Sequence, residues 1–305
     1  MKLWKRVFIL TLCLLLTACA PAAETPESPA RTEGPAAPAD PAGAPPSLAE
    51  DEEPTVLTCR VVDGAEDGNL LLAELDEGLY GGTGVYRLNV KDVPVTLDGE
   101  AAEPSVLEDG MAVDVAFNGH VLESFPAQLG EVYSVSAWSR GRGRNGGGTM
   151  FDLCGLYLQV LDDLWKKDPA LNEDVSQIAL DLSRAPGELT EGEKLALVHR
   201  FGELHGVEAF AATFEELEKQ GYLTSEPLGN GAPEGAAFLH WEDGCLFSIT
   251  PSEDHEGEDY SLPTLFFNAE KWRSSLGAYT FYDCSAMWPQ GGTWTGYQIG
   301  SEMIS

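Results

Sequence analysis

Between residues 54 and 138, apolar and polar positions alternate in short runs separated by glycine-containing pairs. Residues 55–62 are β-branched and apolar, 69–74 follow Asp67-Gly68, and 84–90 alternate. Residues 111–117 alternate after Asp109-Gly110, and 120–124 follow Asn118-Gly119. Period-two alternation sends every second side chain to one face of a strand, and Asp-Gly or Asn-Gly supplies the positive φ of tight hairpins. This span therefore predicts a small N-terminal β-barrel.

Beyond residue 149 the period lengthens. Leu153, Leu156, Tyr157, Val160, Leu161 and Leu164 recur at three and four residues, which predicts an amphipathic helix over 151–167. Thr190 with Glu193, and Thr213 with Glu216, have capping-box spacing, and Gly206 and Gly221 stand where those helices should end. Residues 178–182, between the first two helices, read as a strand. From Ala236 the pattern returns to strands: 237–241, 245–249 after Asp243-Gly244, 264–267, 278–285, and 294–299 after Gly291-Gly292. The fold class expected is α+β, the second part being helices packed on an antiparallel sheet. Residues 139–149 lack periodicity and read as a linker. Its Arg140, Arg142 and Arg144 are expected to contact their own surroundings rather than phosphate.

The N-terminus carries a different signal. Lys2, Lys5 and Arg6 precede an apolar run over 7–16, the layout of a secretory signal, too short to span a bilayer stably. The run ends in Leu16-Thr17-Ala18-Cys19, which resembles the lipobox of bacterial lipoproteins. That resemblance implies cleavage before Cys19, diacylglycerol on its thiol, and a place on the extracytoplasmic face of the cell membrane. Residues 20–53 are rich in Pro, Ala, Glu and Ser, a composition with too little apolar surface to offset ordering entropy. The organisation expected is a signal over 1–18, a lipidated stalk over 19–53, the barrel over 54–138, the linker, and the α+β part over 150–305.

Charge narrows the partners. The chain has 18 basic and 50 acidic residues, a net charge of −32, and losing the three N-terminal cations takes it to −35. A field of that sign disfavours nucleic acid and anionic lipid surfaces; a protein, peptide or glycan ligand is compatible with it. The segment from Asp109 to Val115, with Gly119 and residues 123–128, resembles the OB-type barrel of an uncharacterised family of small Gram-positive lipoproteins. OB barrels bind oligonucleotides or sugars on one face.

Four cysteines, Cys59, Cys154, Cys245 and Cys284, remain after the signal and Cys19 are set aside. Four allow three pairings. Cys245 and Cys284 fall in strands of one expected sheet and are the favoured disulfide. Asp63 to Glu74 resembles an EF-hand calcium loop at positions one, five, six and twelve, but Ala65 replaces a ligand and a strand precedes it, so a hairpin turn is expected. Residues 253–259 form an acidic run expected to be an exposed loop. His199 and His205, six apart on one helix, lie on different faces and form no metal pair. Gly81-Gly82-Thr83-Gly84 lacks the Lys of a phosphate loop, and no GxSxG or SxxK motif is present.

The late aromatics, Phe266, Phe267, Trp272, Tyr279, Phe281, Tyr282, Trp288, Trp294 and Tyr297, are expected mainly in the core of the sheet, with a ligand platform as the alternative. No catalytic, metal or cofactor residue is assigned. The expected function is a membrane-anchored binding or structural module; the alternative is a cell-surface hydrolase acting on cell-wall or extracellular polymer.

Overall fold

The computed structural model describes residues 53–64, 68–75, 81–138, 152–229, 237–255, 264–288 and 294–305. The first nine strands are β1 (Thr55–Asp63), β2 (Asn69–Glu74), β3 (Val85–Asn89), β4 (Val95–Leu97), β5 (Glu100–Ala102), β6 (Ala112–Phe117), β7 (Val121–Leu122), β8 (Ala127–Leu129) and β9 (Val132–Ala137). They form one sheet in the order β5-β4-β9-β6-β1-β2-β3-β8-β7. Leu57, Cys59 and Val61 of β1 share one buried cluster with Leu70, Leu72, Tyr86, Val113, Val115, Phe117 and Val135. Among the described residues no α-helix contributes to that cluster; Val106 of the short 3-10 turn Pro104–Val106 packs against it, and the strands themselves supply most of its cover.

Among the described residues the ladder stays an open path whose ends, β5 and β7, do not pair. The closed barrel expected from the sequence is not formed. Strands at both ends are only two or three residues long, too short to complete a circuit of ladder bonds. The β1–β2 pair is an antiparallel hairpin, so the calcium-loop resemblance has no flanking helices. Its last residue, Glu74, is fully buried and accepts from Gly84 N at 3.1 Å instead of facing an ion. Residues 65–67 of that loop lie outside the described residues.

The rest of the chain adds α1 (Leu153–Lys166), β10 (Gln177–Asp181), α2 (Glu191–His205), β11 (Glu208–Ala211) and α3 (Phe214–Gln220). The strands β12 (Thr224–Pro227), β13 (Ala237–His240), β14 (Gly244–Pro251), β15 (Thr264–Ser274), β16 (Gly277–Met287), β17 (Thr295–Gln298) and β18 (Ser301–Ile304) complete it. Both capping boxes are formed, and Gly206 and Gly221 close their helices at φ of 66° and 82°. At those φ values a Cβ would be strained, which is why glycine ends each helix. No described helix is long and apolar enough to cross a membrane.

The second sheet is mixed rather than antiparallel. Its path is β11-β10-β14-β15-β13-β12, with β16 beside β15 and β17 and β18 along β16. β10 runs parallel to both β11 and β14; for β11 this is because α2 carries the chain back along the sheet before that strand begins. One face of this sheet packs on α1 and α2 through Leu156, Tyr157, Val160, Leu180, Phe201, Phe247, Phe267 and Phe281. The other packs on α3 through Leu217, Trp241 and Leu246.

The favoured disulfide does not form: all four described cysteines are buried and free. Cys245 on β14 precedes Leu246, which pairs with Trp272, whereas Cys284 on β16 pairs with Phe267. The two thiols thus sit on strands separated by β15, at opposite ends of it. Two strand spacings alone are about 10 Å, beyond the roughly 7 Å Cα limit for a bridge. Burial pushes the Cys245 thiol up to about 11 and Cys284 up to about 12, which disfavours the reactive thiolate.

α2 also meets the first sheet. Ala196 and, from α1, Cys154 pack on the face of β1–β3 formed by Val62, Leu71, Ala73 and Val85. Within this seam the Arg60 guanidinium bonds Glu193 Oε1 at 3.1 Å and the Gly110 carbonyl at 3.0 Å. Gly110, at φ of 82°, abuts the N-cap of α1: a Cβ there would come within 2.6 Å of Asp152 Cβ. Asp109 beside it is pushed up to about 6 by partial desolvation and by the like charges of Asp152 and Asp63.

A carboxyl whose folded pKa exceeds its unfolded one binds more protons folded, so it loses stability as pH rises from about 4 to about 6. Asp109→Asn keeps an oxygen for its bond from Gly64 and removes that penalty. The variant is expected to melt higher than wild type at pH 7, with the gain gone below about pH 4, in paired thermal melts.

Candidate ligand cleft

The parallel pair β10 and β11 ends on one side of the second sheet, and both strands turn there into helices. Asp181 closes β10, and Leu182 and Ser183 follow it. Ala211 closes β11, followed by Ala212 and Thr213, the N-cap of α3. The first turns of α2 and α3 bring Glu191, Lys194 and Glu216 to the same place. These residues, with Leu180, Leu195 and Val198, line an open cleft of about 390 Å³. Crevices at the carboxyl ends of parallel strands are where α/β sheets commonly hold ligands, and this volume is within the range of small-molecule sites.

The cleft is apolar at its base and polar at its rim. Leu182 and Ala212 are buried, Val198 is 4% exposed, and Leu180 is closed off entirely on the sheet. On the rim, Asp181 Oδ1 accepts from Ser183 N at 3.0 Å and Ser183 Oγ at 2.6 Å. Glu216 Oε2 accepts from Thr213 N at 2.9 Å, and Glu216 N donates to Thr213 Oγ1 at 3.2 Å. Lys194 Nζ pairs with Glu191 Oε1 at 2.7 Å. The rim therefore has three carboxylates and one ammonium, the latter already matched.

The second and third amides of α2 are spent within the protein: Gly192 N donates to the Gly82 carbonyl at 2.9 Å and Glu193 N to Thr190 Oγ1 at 3.1 Å. A helix start whose donors are used offers little to an anion. The glycine run 81–84 serves this docking. A Cβ on Gly192 would come within 3.0–3.1 Å of the Glu74, Gly82 and Gly84 carbonyls.

None of these cleft residues stands out in the sequence as a site. A signal was present in the two capping boxes, each following a short apolar run. Two such strand-to-helix turns in parallel units must open on the same side of a sheet.

The residues that the sequence does single out lie apart. His199 touches Arg87 Nη2 at 3.3 Å and packs edge-on to Phe125, whereas His205 stacks on Trp165 at 4.3 Å; burial lowers the pKa of both. Of the late aromatics, Phe267, Tyr279 and Phe281 are core, and Trp294 and Tyr297 pack against them. Trp272 faces the opposite side, against Phe214 at 5.0 Å. His255, in the acidic run, stacks on Phe266 at 3.8 Å and contacts Asp283 Oδ1 at 2.8 Å. The rest of that run from residue 256, Cys19 with the stalk, and the arginine-rich linker lie outside the described residues. Among the described residues no cluster of three or more His, Cys, Asp or Glu side chains is arranged to hold a metal.

Comparison with family models, curated proteins and solved structures finds no match to this chain.

Proposed function

We propose that the protein is a lipoprotein held on the extracytoplasmic face of the cell membrane through Cys19, presenting a binding module at the end of a stalk. The observation that carries the anchor is Leu16-Thr17-Ala18-Cys19 directly behind a basic start and a ten-residue apolar run. Lipid chains contribute about 0.8 kcal/mol per buried CH₂, and more than one chain gives durable attachment. The Pro-rich segment behind Cys19 supports a spacer role, reaching roughly 100 Å at about 3.1 Å per residue if it adopts polyproline geometry.

The binding role is supported by the cleft, with its apolar base and acid rim. The self-covered core of the first sheet supports an OB-type ancestry for that part, although its open ladder departs from a closed OB barrel. A net charge near −35 after processing favours a neutral or cationic ligand over nucleic acid.

Cells expressing the wild-type chain and Cys19→Ser, fed radiolabelled palmitate, test the anchor. Wild type is expected to carry label in the membrane fraction and the variant none. Label retained by the variant, or an unlabelled wild-type chain, would overturn the lipoprotein reading.

A further inference from the structure

The rim of the cleft specifies the sign of its ligand and the base specifies its body. Lys194 is neutralised by Glu191 at 2.7 Å, leaving Asp181 and Glu216 as the uncompensated charges of the lining. Each uses one carboxylate oxygen locally, on Ser183 and on Thr213. Among the described residues the second oxygen of each has no protein partner. The amides of Gly192 and Glu193, which would otherwise attract an anion, are already bonded. Beneath them Leu182, Leu195, Val198 and Ala212 present hydrocarbon.

We infer that the cleft binds a small aliphatic amine, its methylenes on that apolar base and its ammonium on Asp181 and Glu216. This rests on the binding-module reading above and names the ligand chemistry of that site. An ammonium supplies up to three donors and a full positive charge, which suits two carboxylates each with an oxygen to spare. The same chemistry is found in free diamines and polyamines and in the lysine side chain of a peptide.

Isothermal titration of the full chain in detergent with three five-carbon probes tests it: 1,5-diaminopentane, glutarate and 1,5-pentanediol. The diamine is expected to bind, the dianion and the diol not. Asp181→Asn with Glu216→Gln should weaken the diamine at least tenfold, and raising salt from 0.05 to 0.5 M should weaken it several-fold. Both substitutions keep the local acceptor for Ser183 N and Thr213 N, and an unchanged melting temperature confirms the fold. Lys194→Met, which removes a like charge from the rim, should tighten the diamine.

A Gly-Lys-Gly peptide binding more tightly than the diamine, with the same dependence on the two carboxylates, would support the amine chemistry and assign its source to a peptide. Glutarate or pentanediol binding in the diamine's place would overturn the amine while leaving a binding module. Silence from every probe, or diamine binding indifferent to the double substitution, would overturn the inference at this cleft. The palmitate experiment reads the anchor independently of each of these outcomes.

Discussion

Arg60→Met is expected to destabilise the folded chain by about 3–5 kcal/mol, the usual effect of removing one partner from a buried ion pair. The Arg60 and Glu193 side chains are 10% and 2% exposed, so little water reaches either. Glu193 divides its carboxylate, with Oε1 on Arg60 at 3.1 Å and Oε2 on the Thr190 amide at 2.8 Å. With Arg60 gone, Oε1 is left buried and charged with no cation, and the Gly110 carbonyl loses a donor as well. The loss is read from the shift in urea midpoint at unchanged slope. Adding Glu193→Gln to Arg60→Met removes the stranded charge but keeps an N3 cap, so the double variant should recover part of the loss. A single-variant loss below about 1 kcal/mol would mean that water enters the seam and the pair behaves as a surface one.

Lys271→Met is expected to lower stability by about 3 kcal/mol, since it strands several buried acceptors at once. Lys271 lies on β15 and is fully buried. Its ammonium donates to the Lys167 carbonyl, to the Asp168 carbonyl at 3.2 Å and to Asn172 Oδ1 at 3.1 Å. These acceptors lie at and just beyond the C-terminus of α1, where carbonyls lack helical partners and the dipole is negative. Methionine matches the length and removes every donor.

Burial also pulls the Lys271 pKa down to about 8. The unfolded chain then holds its proton to higher pH than the folded one, so wild-type stability relative to the variant should rise between about pH 8 and pH 10.5. Chemical denaturation of both proteins at pH 7.5 and 9.5 checks the size and the direction. A gap that narrows with pH would show that the ammonium is favoured by its carbonyls more than it is penalised by burial.

The elements that were legible in the sequence are those whose chemistry is local. Thr190, Glu193 and Gly206 bracket α2, and Thr213, Glu216 and Gly221 bracket α3, as their spacing requires. The spacing of Leu153 to Leu164 places one face of α1 in the core. β6 follows its alternation behind Asp109-Gly110, β2 follows Asp67-Gly68, and β1 follows its β-branched, apolar run, with the middle of β1 and nearly all of β2 continuously buried. β9 alternates equally well over Val132–Ala137 but has no Asn-Gly or Asp-Gly turn before it. β11, with the sequence Glu208-Ala209-Phe210-Ala211, is too short to show any period.

β11 is the element on which the cleft depends. Its parallel pairing with β10 makes two strand ends open side by side, and the cleft residues meet only because of that pairing. Glu193 shows the same division within one residue. Its capping role follows from a three-residue spacing, while its partner Arg60 is 133 residues away in the chain.

The sequence by itself determined the local elements: the helices with their caps, the better-marked strands, and the excess of negative charge. Only the tertiary structure decided that the second sheet is mixed, that Cys245 and Cys284 stay apart across β15, and that Asp181 and Glu216 share a cleft. Period and capping are set by residues a few positions apart, whereas strand direction and side-chain pairing depend on where a distant segment returns, which no local pattern encodes.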